Sequence, residues 1–363
     1  MAHIIVVGGG IIGMLTAREF SRVGDQVTLV ERRRLAQESS WAGGGILSPL
    51  YPWRYPDCVT ALAKWSQTVY PQLCQSLFRT TGIDPEYLSN GMLVMAENEQ
   101  TIATTWADRR RLQLELISQA ASSRLEPALA QPTLSAIWMP GVAQVRTPRL
   151  AKALAVDLER RGVTIITGLA VSGLARSQDR VEGILGEKGK MEADAVVICT
   201  GAWTAELLKP FLPLPDIRPV RGQMILFKAI PEVIRRIVLQ ENRYIIPRRD
   251  GHILFGSTLE ETGFDQSTTE TARQELYTLA TERFPILKNY PLVKQWAGLR
   301  PGAPAGIPYI TAHPSLKGLY INAGHYRNGV VLGPASARLM VDIVTGNPAI
   351  LPVEPYAMDA RRE

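Results

Sequence analysis

Apolar positions along this chain of 363 residues switch between strand and helix periods, and the switches mark its elements. Residues 3–7 form a short β-branched run, glycines crowd positions 8–13, and residues 14–23 carry apolar side chains at helical spacing before Gly24, which predicts strand, tight turn and helix. Residues 27–30 predict a second strand closed by Glu31, and QESSWAGGGILSPL then brings a stretch of small residues. A long helix is expected over 60–79, ending at the turn residues TGIDP. A strand over 91–97 and a helix over 101–118 follow, then loops containing proline. Pro148, at a first-turn position, opens a helix that stops at Gly162 and passes into VTIIT, and residues 181–185 and 195–199 read as further strands.

The middle of the chain changes character. Within 217–256, RGQMILFKA, RYIIP and GHILFG read as alternating strands with turns between them, the pattern of an antiparallel sheet. A helix over 269–283, the segments WAGLRP and GLYINAG, and a helix over 328–345 complete the chain. Helix-to-strand rhythm on both sides of a β-rich middle predicts an α/β fold, α+β overall, with two units interleaved in sequence, and the length suits two domains.

Composition narrows the class. With 46% hydrophobic and 20% charged residues the chain can bury a substantial core, which excludes disordered and fibrous classes. Apolar runs such as IIVV fall well short of the roughly 20 residues of a bilayer span. The start MAHIIVVGGG has no basic region before its apolar stretch and runs into glycines where a leader has its cleavage site, so a cytoplasmic protein without integral membrane association is expected. Cys58, Cys74 and Cys199 show no CxxC spacing and are expected to be buried thiols. His3, His252, His313 and His325 lack metal-ligand spacing, and no metal is expected. Forty basic against 34 acidic residues give a net charge of +6, with arginine clusters at 32–34, 109–111 and 248–249. They read as a solvated basic surface. No groove-reading motif accompanies them, so no specific nucleic-acid partner is expected, and attraction of small acidic substrates is the simpler consequence.

The strongest local motif is GGGIIG, in which Gly8, Gly10 and Gly13 fill GxGxxG directly after a strand, with Glu31 about 20 residues on. Gly8 permits the sharp turn, Gly10 lets backbone approach a pyrophosphate, and Gly13 lets the helix press on the sheet, while the helix N-terminus offers amide donors and a positive dipole. Glu31 is suited to accept hydrogen bonds from a ribose. Taken alone, the glycines fit a plain strand-to-helix turn as well. An acidic residue at this place argues against a 2′-phosphate and so against NADP, and the motif does not separate FAD from NAD.

The segments GGGIIGMLTA, ESSWAGGGILSP, CTGAWT and GHYRNGVVLGP, spread over nearly the whole chain, resemble the D-amino-acid oxidase superfamily of flavoproteins, and within it the glycine oxidase branch of thiamine-biosynthesis type. The resemblance implies noncovalent FAD, held by a glutathione-reductase-type Rossmann FAD-binding domain interleaved with an antiparallel-sheet substrate domain. The expected boundaries are 1–80, 146–210 and 306–363 for the first and 81–145 and 211–305 for the second. It further implies oxidative deamination of glycine and small secondary or D-amino acids by hydride transfer to flavin N5. The products would be a 2-oxo acid, ammonia or an amine, and hydrogen peroxide, with oxygen as the electron acceptor, in a homo-oligomer.

Carried over by position, the resemblance puts FAD contacts on Ile11, Ile12, Glu31, Arg32, Ser39 and Ser40, with Gly44, Gly45 and Ile46 lining the isoalloxazine ring and Val171 pairing its backbone with adenine. Gly201 and Trp203 follow at the carboxyl end of a strand, and His325, Tyr326, Arg327, Asn328, Gly329, Val330 and Val331 lead into the last helix. A core role for Val171 or Trp203, and a plain helix start at 328–331, stay open as alternatives. An amino-acid substrate presents a carboxylate, which an arginine fork binds and orients. Arg300 in AGLRP, at the end of a short strand, is the leading candidate, with Tyr244 of RYIIP as hydroxyl donor and Arg327 as a second arginine. A surface arginine and a core tyrosine are the competing readings. Alternation would put Tyr244 and Ile246 on one face. Where the family carries histidine two residues before this tyrosine, Asn242 stands here, a departure that bears on pocket specificity. Three other functions fit parts of the pattern: a D-amino-acid or imino-acid dehydrogenase that reduces a quinone, a tRNA-amine-modifying oxidoreductase in keeping with an isoelectric point near 9.3, and a flavin-binding protein without catalysis.

Overall fold

Two apolar runs with no polar face organise the molecule. The computed structural model describes residues 1–130 and 135–362; residues 131–134 and 363, which fall within the expected substrate-binding and FAD-binding segments, lie outside the described residues. The chain opens with β1 (His3–Val7), α1 (Ile11–Arg22) and β2 (Gln26–Glu31), then a short α2 (Ser39–Ala42) and a long α3 (Asp57–Thr81). Next come β3 (Met92–Met95), α4 (Gln100–Arg110), β4 (Glu115–Ile117), α5 (Gln119–Leu125), β5 (Ala136–Met139), α6 (Thr147–Arg160) and β6 (Thr164–Thr167). Three strands, β7 (Val171–Ser177), β8 (Arg180–Gly186) and β9 (Gly189–Glu192), precede β10 (Ala195–Ile198) and α7 (Thr204–Leu208). The β-rich part holds β11 (Arg218–Lys228), β12 (Ile237–Gln240), β13 (Arg243–Pro247), β14 (His252–Gly256), α8 (Glu270–Arg283) and β15 (Leu292–Gly302). Strands β16 (Tyr309–Ala312) and β17 (Leu319–Ala323) and helix α9 (Gly329–Thr345) complete the main elements.

β1 and β10, the apolar runs, lie side by side in a six-stranded sheet of order β16-β17-β10-β1-β2-β6, parallel except for β16 against β17. Both are covered on both faces, as such runs require. Ile4 and Val6 face the core shared with α1, α3, α6 and α9, whereas Ile5 and Val7 face the antiparallel sheet β7-β8-β9. The eight-stranded sheet, of order β15-β11-β14-β13-β12-β3-β5-β4, is antiparallel except for β12 against β3. Its alternating side chains divide in the same way: Ile225, Ile245 and Phe255 pack under α8, and Met224, Tyr244 and Ile246 point the other way, toward the glycine loop at 43–45. This is the mixed α/β architecture that the pattern predicted.

Three local expectations are corrected. The helix expected over 101–118 ends at Arg110, because Arg111 takes a left-handed φ of 52° and the apolar period drops to two at Leu112, Leu114 and Leu116, so residues 115–117 form β4. Strands β7 and β9, rich in polar residues and glycine, were not foreseen. Arg300 stands on an eleven-residue strand, β15, paired along its length with β11, and not on a short one. Cys74 and Cys199 are buried, while Cys58 is half-buried. Among the described residues no helix is long and apolar enough to cross a membrane, and no group of three or more His, Cys, Asp or Glu is placed to hold a metal.

A buried ion cluster ties the helical layer together. Asp157 on α6 accepts from Arg18 Nε of α1 at 2.9 Å and from Arg161 Nε at 2.7 Å, with the carboxylate and Arg18 almost wholly covered. Burial pushes the Asp157 carboxyl up, but the bonds from Arg161 and Arg18 outweigh it and hold the group below the usual carboxylate value. A depressed folded value means that this contribution is present above the unfolded value and lost as pH falls through the folded one. Asp157→Asn is therefore expected to cost about 3 kcal/mol in denaturant melts near neutral pH, the cost of removing one partner from a buried ion pair, with Glu19 at 3.4 Å the acid that Arg18 retains. The gap to the parent protein should narrow in acid. A gap that stays constant down to the acid limit would contradict the assignment.

Candidate active site

The turn after β1 is built by contacts that only glycine allows. Gly8 has φ +111°, and a Cβ there would sit 2.5 Å from the Cys199 carbonyl oxygen; a Cβ on Gly13 would run into the Gly8 carbonyl, so α1 lies directly on the strand end. Gly10 caps α1 without a side-chain bond and no acidic residue occupies the first turn, which leaves the dipole free to meet an anion. Ile11 N–H donates to Ser40 Oγ at 2.8 Å. Glu31 accepts from Gly9 N–H at 2.8 Å and Arg33 N–H at 2.9 Å, and its remaining lone pairs suit hydroxyl donors. Arg32 lies 3.9 Å over the Trp203 ring and bonds Glu38 at 3.1 Å, and Trp203 also stacks on Phe264. Trp203 thus both packs and forms cavity wall.

The glycine loop joins the two large sheets. A Cβ on Gly44 would approach Ile246 Cδ1 to 2.5 Å and Tyr244 Cε2 to 3.3 Å, and Gly45, at φ +76°, lies against the Val145 carbonyl. Arg248 fixes this loop: its guanidinium donates to the carbonyls of Gly44 at 2.7 Å and Val145 at 3.1 Å and to Gln144 Oε1 at 2.5 Å. Arg248 is buried, and burial brings its guanidinium down to about 10, still charged at neutral pH. This overturns its reading as part of a solvated surface; its neighbour Arg249 does lie outside, paired with Asp84.

From the far side, Asn328 caps α9 without a side-chain bond, and its buried Nδ2 has no partner. Buried His325 places Nε2 3.0 Å from Ser336 Oγ, and burial pushes its imidazole down to about 3, so the ring is neutral. Tyr326, at φ +48°, donates its N–H to the Pro301 carbonyl at 2.9 Å, tying the start of α9 to the end of β15.

At the other end stands Arg300. Its guanidinium donates to Ser257 Oγ at 2.5 Å and to the carbonyls of Arg221 and Thr258 at 3.3 Å each, and among the described residues no carboxylate pairs with it. Desolvation lowers its pKa, an effect that Tyr244 opposes and the charge of Arg327 reinforces. Tyr244, buried, directs its hydroxyl to Ser257 Oγ at 3.3 Å. Ser257 thus accepts from both groups. The guanidinium lies over Gly222 of β11, where any Cβ would collide with it. Ser257, Gly222 and Met224 escaped the sequence reading; a glycine inside a strand, here in RGQMILF, was the available signal of a close approach.

One cavity of about 530 Å³ connects these parts. Its walls include Gly8, Gly10, Ile11, Ile12, Glu31, Arg32, Ser39, Ser40, Gly44, Gly45 and Ile46. Val171, Gly201, Trp203, Tyr244, Arg300, His325, Tyr326, Arg327, Gly329 and Val330 also line it. Gly13, Asn328 and Val331 do not: the first is taken up by helix packing, the second caps α9, and the third is core. Asn242 is also outside. Together with Glu241 it forms a turn with both φ angles positive, and its N–H bonds the Tyr51 hydroxyl at 3.3 Å. Its difference from the family therefore concerns the hairpin and not the cavity wall.

A family model described as FAD dependent oxidoreductase matches residues 3–343. The chain is 47% identical to the glycine oxidase of Pseudomonas aeruginosa and 46% identical to that of Pseudomonas putida, in each case over 99% of both chains. The crystal structure of glycine oxidase from Geobacillus kaustophilus superposes with a TM-score of 0.93 at 26% identity, covering 99% of this chain and all of that one.

Gly222→Ala should push the Arg300 head out of place. Acetate binding, followed by its perturbation of the flavin absorption band, is expected to weaken at least about tenfold, the scale of one charge-assisted bond lost, while FAD stays bound. Unaltered acetate affinity would show that the guanidinium does not need the space above Gly222.

Proposed function

The chain belongs to the FAD-dependent oxidoreductase family, and on that footing we propose that it oxidises glycine and small secondary or D-amino acids to the 2-oxo acid and ammonia or an amine, with oxygen as acceptor and hydrogen peroxide as by-product. FAD is its cofactor and amino-acid oxidation its reaction class. The chain's own residues fit that cofactor: a side-chain-free cradle at Gly8 and Gly10, an uncapped helix start at α1, the bare loop at Gly44 and Gly45, and the first residues of α9, Gly329 and Val330, on the cavity wall. In this reading the segments around the six-stranded sheet hold FAD, Glu31 taking the ribose, Ser39 and Ser40 the pyrophosphate side and Val171 the adenine. The eight-stranded sheet carries the substrate groups. When bound, FAD supplies the acceptor for the electron pair that the substrate loses.

The observation that carries the proposal is the half-buried, carboxylate-free guanidinium of Arg300 on the cavity wall. Such a cation is costly unless an anion meets it, and an amino acid brings one. Arg300 binds the carboxylate, Tyr244 adds a hydroxyl bond, and Arg327, which has no hydrogen-bond or ion-pair partner among the described residues, stands beside them. Gly44, Ile46, Leu50 and Met224 make the neighbouring wall apolar. The two arginines also disfavour a cationic amine, so the substrate amine gives its proton to solvent and reacts neutral. No side-chain base is needed.

Anaerobic addition of glycine, sarcosine, D-proline and D-alanine should bleach the flavin, and readmitted air should restore it with peroxide formed. Recovery only with a quinone would assign the dehydrogenase alternative. Arg300→Ala is expected to raise the half-saturating substrate concentration by about thirtyfold or more without loss of FAD, from the roughly 2–5 kcal/mol cost of truncating a buried charge contact. The parent rate should climb with pH toward the substrate amine's own value and then level. Unchanged saturation in the variant would remove Arg300 from the site.

A further inference from the structure

A second cavity of about 140 Å³ lies beside the first, behind the segment that leads from the glycine loop to α3, and Ser48 belongs to the walls of both. Thr60 and Lys64 face it from one side, at adjacent positions on α3, and Trp106, Leu112, Met139 and Val142 face it from the other. Thr60 Oγ1 and Trp106 Nε1 are both buried there without a hydrogen-bond partner. That is uncommon for buried polar groups, and two of them in one small cavity mark a place where an acceptor belongs. The neighbouring Trp53, edge-on to Trp106, shows the ordinary solution: its indole N–H donates to Glu99 at 2.6 Å.

The chemistry of the walls specifies the ligand. An indole N–H and an ammonium can only donate. Lys64 is the one charged side chain among the described wall residues, and its ammonium spends a single bond, at 3.3 Å, on the Arg110 carbonyl. Leu112, Met139 and Val142 give the wall an apolar part, and the amides of Gln67 and Gln113, which also line it, donate elsewhere, to the Leu47 carbonyl at 2.7 Å and to Glu115 at 3.4 Å. A cavity of about 150 Å³ accommodates a ligand the size of benzene, which sets the limit at about six heavy atoms. We propose that this cavity is a binding site for a small monocarboxylate, its oxygens on Trp106 Nε1 and Thr60 Oγ1 near Lys64, its short chain against Leu112, Met139 and Val142. The site is independent of the substrate reading above.

The test uses the FAD-loaded protein with 15N-labelled tryptophan, whose seven indole N–H signals include one identified as Trp106 by its loss in Trp106→Phe. Propionate is the probe. The Trp106 signal should shift saturably, should do so equally in an Arg300→Ala background, and should need at least fivefold more propionate in Thr60→Val, with Thr60→Ser restoring the parent response. Absence of a saturable shift, its disappearance in Arg300→Ala, or indifference to Thr60→Val would each overturn the proposal; the second would trace the signal to the substrate end of the first cavity.

Discussion

A half-buried guanidinium on a cavity wall, bonded to neutral oxygens and to no carboxylate among the described residues, is the constraint on which the rest of the site depends. Arg300 bonds a serine hydroxyl and two backbone carbonyls, and these hold it in place without cancelling its charge. Had an aspartate been placed there, the pair would be internally satisfied and indifferent to ligand. The long antiparallel pairing of β11 with β15 sets Val220 opposite Arg300, and the missing side chain at Gly222 opens the space into which the head folds back. Sheet register, one glycine and one hydroxyl therefore define the anion position together.

The same logic explains why the glycine loop is clamped so firmly. It is where the six-stranded sheet's connections touch the eight-stranded sheet: Gly44 rests on Tyr244 and Ile246, Val145 N–H donates to the Gly45 carbonyl at 2.9 Å, and Thr147 Oγ1 donates to the Gly43 carbonyl at 2.7 Å. Arg248 adds a charged donor to this backbone from within the interior. The loop and the Arg300 and Tyr244 side chains, which the proposed function assigns to a ring and a carboxylate, are thereby referred to one rigid frame. Preorganisation of that kind lets orientation contribute to rate without a moving catalytic group.

Much of this was legible in the sequence, and the limits have physical causes. The first strand, turn and helix could be read because apolar period, glycine spacing and the acidic Glu31 agree with one another. The end of α4 could not, since the change of period at Leu112 is too short to outweigh the helical residues before it. Arg248 and Arg249 are adjacent and chemically identical in sequence, yet one is interior and the other outside, because Arg248 closes the turn after β13 with its side chain toward the glycine loop while Arg249 sits in the turn itself, paired with Asp84. Ser257 carries no local signal at all. Its role exists only because the pairing of β14 with β13 and β11 brings it beneath two side chains from other strands.

The polarity of the long cavity follows from the same arrangement. Its acidic wall residues, Glu31, Glu38 and Glu206, gather with Arg32 and Trp203 at the nucleotide end, whereas Arg300 and Arg327 stand at the other with no acid beside them. His325, although it lines the cavity, contributes no charge, because burial keeps its imidazole neutral across the physiological range. Two uncapped helix starts, at Gly10 and Asn328, add positive potential without adding a side chain that could move a proton. Under the proposed function, an amino acid meeting this field would turn its carboxylate toward the arginines and lose the advantage of a protonated amine. On that proposal the field that selects the anion would also prepare the nitrogen, and a carboxylate base beside it would be a liability, because its negative form would pair with Arg300 and close the site to substrate.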